Sequence, residues 1–183
     1  SGANSSASCL MCLPGTFAVE GSNVCLHCMA GSYGNETGAS TCRMCTAGSY
    51  WTGTGAVTSL ACSACLNGTY SSGGASSCSN CSAGSYTSLL GSSSCVSCAA
   101  GLYGAITGAI DSQACTQCSP GTFSMEGSTI CLNCTSGSYG TKFGATYCNL
   151  CDSGTFSTGL GVIGSDACVA CQKGLSSLKG SSI

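Results

Sequence analysis

All 20 cysteines of this 183-residue chain fall into ten C-x-x-C pairs, beginning at Cys9, Cys25, Cys42, Cys62, Cys78, Cys95, Cys115, Cys131, Cys148 and Cys168. Thiols at this spacing support three kinds of chemistry. Two pairs can converge as four thiolates on one zinc ion, one pair can cycle between dithiol and disulfide, or the cysteines can be oxidised into a scaffold. The stretch CLMCLPGTFAVEGSNVCLHC, residues 9–28, has two pairs twelve residues apart and is compatible with a short zinc ribbon. Ten uninterrupted pairs would need five successive zinc sites, in a chain where Asn80-Cys-Ser and Asn133-Cys-Thr build glycosylation sequons onto the pairs themselves. A thioredoxin-type centre needs a helix N-terminus and a βαβ setting to lower a thiolate pKa, and neither is visible. Composition favours the scaffold: 20 cysteines in 183 residues exceeds the roughly 8–10% that marks a disulfide framework in a short secreted chain.

No other group of residues assembles a reaction. The single His27 occupies the slot that Asn80 and Asn133 hold elsewhere and reads as an exposed polar residue. Glu20, Glu36, Asp111, Glu126, Asp152 and Asp166 are dispersed, without the spacing of a calcium loop or an acid/base pair. The glycines follow cysteines rather than a strand that opens a helix, so they read as turn formers, not phosphate cradles. The expectation is a non-enzyme without catalytic residues, metal ligands or cofactor.

Charged residues make up 5% of the chain, with four Lys and Arg in all and a net charge of −2. Nucleic-acid binding by counterion release therefore has no source. No run approaches the roughly 18 apolar residues needed for a membrane span. Hydration is expected to come from covalent N- and O-linked glycans: Ser and Thr exceed a quarter of the residues, and sequons stand at Asn4, Asn35, Asn67, Asn80 and Asn133.

The pairs are separated by steps of 16, 17 and 20 residues, repeated three times, so the period is 53 residues. Residues 1–8 read as the end of a long loop, 9–61, 62–114 and 115–167 as three blocks, and 168–183 as the start of a fourth. The tail KGSSI aligns with EGSNV and EGSTI, each followed at once by a cysteine, so the sequence reads as a window from a longer array. Three residues after the second cysteine of each pair comes a glycine, and two further on an aromatic, from Phe17 to Phe156, with Ser176 breaking the series. Glycine permits a turn, and Gly-Thr-Phe or Gly-Ser-Tyr suits a short strand. Each ring is expected to pack within its own module. Trp51, where the other blocks have Gly104 and Ser157, is expected to be exposed and is the candidate contact residue for glycan or a neighbouring chain.

The pattern C-x-x-G-[ST]-[YF]…C, in CLPGTF, CMAGSY, CLNGTY, CSAGSY and CSPGTF, resembles ephrin-receptor-like cysteine-rich repeats and, more distantly, the first loop of tumour-necrosis-factor-receptor modules. In those receptor modules the second Cys of one pair joins the first Cys of the next. The resemblance thus implies Cys12 to Cys25, Cys28 to Cys42, Cys45 to Cys62, Cys65 to Cys78, Cys81 to Cys95, Cys98 to Cys115, Cys118 to Cys131, Cys134 to Cys148 and Cys151 to Cys168. Cys9 and Cys171 are then left over. The alternative, first to first and second to second within tetrads, uses all 20 cysteines and fits the three-loop period less well.

The expected fold is a small disulfide-rich repeat, an elongated rod of short β-hairpin and irregular modules with almost no helix. Each module is too small to stand alone and needs disulfides and neighbours. The expected function is a structural extracellular glycoprotein that forms or coats a filament or cell-surface fibre, with other copies of itself, neighbouring repeats and glycans as partners. The rival is a ligand-binding or adhesive receptor ectodomain, which would need one module to differ from the rest.

Overall fold

A computed structural model describes residues 9–183; the expected end of a loop at residues 1–8, with the Asn4 sequon, lies outside the described residues. The smallest unit is complete at residues 12–28. Leu13, Pro14, Gly15 and Thr16 make a turn in which the Thr16 backbone N–H donates to the Leu13 carbonyl at 3.0 Å. Gly15 has φ 84° at the third position, where a type II turn needs a positive φ, and Pro14 presets φ at the position before it. The chain leaves the turn as the strand Thr16–Phe17 and pairs antiparallel with Leu26–His27, Phe17 opposite Leu26. Two residues per strand cannot hold a sheet in water. The bond from Cys12 to Cys25, with Cα atoms 5.6 Å apart, closes the loop around it.

This hairpin recurs, and the described residues contain nine two-stranded antiparallel sheets with two residues in every strand. They contain no α-helix. The helical content is three 3₁₀ turns, Ser59–Ala61, Ser112–Ala114 and Ser165–Ala167, one in each long loop. These turns absorb the extra residues of the 20-residue steps. In the first of them the Cys62 N–H closes back on the Ser59 carbonyl at 3.0 Å, returning the chain to the cysteine.

Contacts divide the chain into two units. One runs to Asn80 and takes in Thr87–Cys95; the other holds Cys81–Tyr86 and Val96–Ile183. In the first unit, successive loops are joined by three backbone hydrogen bonds. Between the loops 28–42 and 45–62, Gly31 N–H donates to the Trp51 carbonyl (2.8 Å), Gly55 N–H to the Cys28 carbonyl (2.7 Å) and Gly34 N–H to the Ala56 carbonyl (2.9 Å). In the second unit the same three bonds link the loops 118–131 and 134–148: Gly121 to Gly140 (3.1 Å), Gly144 to Cys118 (2.8 Å) and Ser124 to Ala145 (3.2 Å). Backbone groups that a short loop cannot satisfy alone are thus satisfied by its neighbour.

Among the described residues there is no conventional apolar core. The buried side chains are the second cysteine of each pair from Cys12 to Cys151, together with Ala56, Ala109 and five hydroxyl residues, Ser71, Thr87, Ser124, Ser138 and Ser157, and glycines such as Gly15, Gly48 and Gly121 are buried beside them. Leucines, valines and methionines lie largely outside, Leu10 and Leu60 above 90% exposed. Sulfur and backbone hydrogen bonds fill the interior in place of branched aliphatic side chains.

Candidate functional site: the disulfide ladder and the residues it presents

The ladder is built from an asymmetry within each C-x-x-C pair. From Cys12 to Cys151 the second cysteine opens a loop and is buried; from Cys25 to Cys168 the first closes the preceding loop and is at least partly exposed. The structure joins Cys12 to Cys25, Cys28 to Cys42, Cys45 to Cys62, Cys65 to Cys78, Cys98 to Cys115, Cys118 to Cys131, Cys134 to Cys148 and Cys151 to Cys168. Cys81 and Cys95 are disulfide-bonded as well. The order is sequential, not the tetrad alternative, and Cys9 and Cys171 are free thiols within the chain. Opening cysteines are also held by their main chain: Cys45 N–H donates to the Gly31 carbonyl at 2.8 Å, and Cys151 N–H to the Gly137 carbonyl at 2.9 Å.

Contacts also skip one loop. A Cβ placed on Gly31 would run into the Gly74 carbonyl, and one on Gly137 into the Gly180 carbonyl, each two loops ahead. Within each unit, loops therefore touch their first neighbour through hydrogen bonds and, at Gly15, Gly31, Gly48, Gly84, Gly101, Gly121 and Gly137, their second through a bare Cα. The second glycine of each loop, Gly21, Gly38, Gly55, Gly74 and their copies, turns the chain back toward the next cysteine with φ between 64° and 79°, and at Gly74 and Gly180 its carbonyl also receives the bare Cα from two loops behind.

Of the sequons, Asn35, Asn67, Asn80 and Asn133 are all exposed. Asn67 lies in the turn before Gly68, while Asn80 and Asn133 lie in strands. The Asn133 amide rests against the Cα of Gly161, so a glycan there must leave along the edge of the next loop. His27 is exposed, in the strand paired with Thr16. Among the described residues no three His, Cys, Asp or Glu gather as metal ligands. Glu36 and Arg43 form an exposed ion pair at 2.5 Å that sequence reading did not foresee.

Trp51 departs from its expected exposure. It is half-buried, its indole Nε1 is covered without a hydrogen-bond partner, and its ring lies against the bare Cα of Gly53. The physical reason is the slot. The residue after the aromatic is where neighbouring loops meet, and Trp51 uses its N–H and carbonyl there, to Ala75 (3.2 Å) and from Gly31 (2.8 Å), as Ser71 or Gly140 do elsewhere. The ring must fold back along its own loop.

Sequence reading missed the work of the Ser or Thr before the aromatic. Thr16, Ser32, Ser49, Thr69, Ser85, Thr122, Ser138 and Thr155 each donate their hydroxyl to the carbonyl three residues back, at 2.7–2.8 Å. The signal was present in the alternation of Ser with Thr, two residues that share only a hydroxyl. No helix among the described residues is long and apolar enough to cross a membrane.

Set against known proteins, the chain matches the family described as tyrosine-protein kinase ephrin type A/B receptor-like over residues 15–62 and again over 68–115, together more than half its length. No curated protein matches it.

Proposed function

Because the chain belongs to the tyrosine-protein kinase ephrin type A/B receptor-like family, whose disulfide-rich repeats are an extracellular module type without catalysis of their own, we propose that it is a structural extracellular glycoprotein that forms or coats a filament or cell-surface fibre. The observation that supports this most is the repetition of one backbone docking pattern from loop to loop, made by main-chain atoms and glycines and thus indifferent to the exposed side chains. Such a pattern extends without a specialised module, as solenoid repeats do. Disulfides resist extension and proteolysis, and glycans on Ser, Thr, Asn35, Asn67, Asn80 and Asn133 hydrate a surface with few charges. Trp51, folded onto Gly53, offers a neighbouring chain only part of its ring.

Electron microscopy of the purified protein tests the reading. Long uniform fibres support it, and dispersed single particles count against it. Intact mass before and after glycosidase treatment tests the sugar component, which an unchanged mass removes. The second reading, a ligand-binding or adhesive ectodomain, draws support from one loop, 134–148, that differs from its counterparts.

A further inference from the structure

Ten of the twelve aromatic residues are half-buried: the nine of the regular series and Trp51. The two others, Phe143 and Tyr147, are 67% and 70% exposed and lie in the same loop. With Lys142, Asn149, Thr141 and Thr146 they line an open pocket of about 210 Å³. The corresponding slots in the loop 28–42 hold Thr37 for Phe143 and Thr41 for Tyr147, and in the loop 81–95 they hold Leu90 and Ser94. One loop alone has acquired two rings and a cation.

The charge arrangement differs in the same place. Glu36 and Arg43 pair with each other across the loop 28–42. Their counterparts are Lys142 and Asn149, so the cation meets a neutral amide, and among the described residues Lys142 has no ion-pair partner. The pocket is also held in shape. Gly144, next to Phe143, donates its N–H to the Cys118 carbonyl at 2.8 Å, Ala145 accepts from Ser124 N–H at 3.2 Å, and Cys148, next to Tyr147, is bonded to Cys134. A fixed backbone lowers the entropy lost on binding.

We propose that residues 141–149 form a binding site for an acidic oligosaccharide, a sugar chain carrying carboxylates. The faces of Phe143 and Tyr147 carry the negative side of the ring quadrupole and suit the C–H-rich face of a pyranose. Lys142 supplies the charge-assisted hydrogen bond to a sugar carboxylate. The Asn149 amide and the Thr141 and Thr146 hydroxyls match ring hydroxyls as donors and acceptors. An acidic peptide would use Lys142 and leave the ring faces without a flat partner.

The test is an NMR titration of the intact chain with a short oligogalacturonate, with its methyl ester, and with a poly-glutamate peptide of equal charge. Saturable shifts at Phe143 and Tyr147 are expected with the sugar acid. Loss of the charge in the ester should weaken binding about threefold, the worth of one exposed ion pair, and Lys142→Gln should make acid and ester bind alike. Phe143→Thr, which installs the residue found at position 37, should weaken both about tenfold with the rest of the spectrum unchanged; Lys179→Gln should change nothing. The proposal falls if the rings do not shift, if acid and ester bind the unaltered chain equally, if Lys179→Gln weakens binding as much as Lys142→Gln, or if poly-glutamate binds this loop as tightly as the sugar.

Discussion

The Cα of Gly48 lies directly against the carbonyl of Gly91, two loops further along the chain, with no room for a methyl group between them. Gly127 is also left-handed, with φ 72° against 84°, yet a Cβ there would meet only Ser97 at ordinary van der Waals distance. Alanine at Gly127 should therefore cost only the left-handed backbone penalty, about 1–2 kcal/mol. Alanine at Gly48 should add an overlap with main chain, about 1–3 kcal/mol more. Thermal or urea unfolding of the two variants checks this; equal losses would mean that contact between second neighbours contributes nothing.

Ser138 is almost fully buried and donates its hydroxyl to the Thr135 carbonyl at 2.7 Å. Ser138→Ala should lower stability by about 1 kcal/mol, and Ser138→Thr, which keeps the hydroxyl as Thr122 and Thr155 do, should retain more of it. Denaturant midpoints of the two variants give the comparison.

Trp51 is the only tryptophan, so its emission reports one site. A Cβ at Gly53 would collide with the indole. Gly53→Ala should push the ring into water, seen as a red shift and stronger quenching by acrylamide, while the nearest disulfide, from Cys45 to Cys62, remains intact by mass.

Removing that bond with Cys45→Ser and Cys62→Ser opens a loop of sequence separation 17 and should cost about 3 kcal/mol on the loop-entropy account. Repeats coupled mainly to near neighbours lose stability locally. Limited proteolysis should then find new cleavage within residues 46–61, with the loops of the second unit still protected.

How far the chain could be read beforehand follows from what each feature depends on. Gly15, Phe17 and their copies were legible because they keep a constant distance from a cysteine, and the sequential pairing followed from the resemblance of CLPGTF and CSPGTF to known extracellular repeats. The second glycine was harder. Counted back from the next cysteine, Gly55 looks displaced relative to Gly21 and Gly38; counted forward from Gly48 it stands seven residues on, as Gly38 does from Gly31. Its partner is the Cys28 carbonyl of the preceding loop, and the 3₁₀ turn that follows takes up the surplus. The half-burial of Trp51 depends on Gly53 and on neighbouring loops, which no single module reveals. Phe143 and Tyr147 lie off the regular aromatic register, so the period does not point to them, and for the same reason their rings are exposed.

Everything in this account rests on loops closed in sequence, each bond joining the second cysteine of one pair to the first of the next. Pepsin digestion at acidic pH, where thiol exchange is suppressed, followed by mass spectrometry without reduction, measures this directly. Cross-linked peptides joining Cys12 to Cys25, Cys45 to Cys62 and Cys118 to Cys131 are expected. Recovery of Cys9 joined to Cys25, or of Cys12 joined to Cys28, would contradict it.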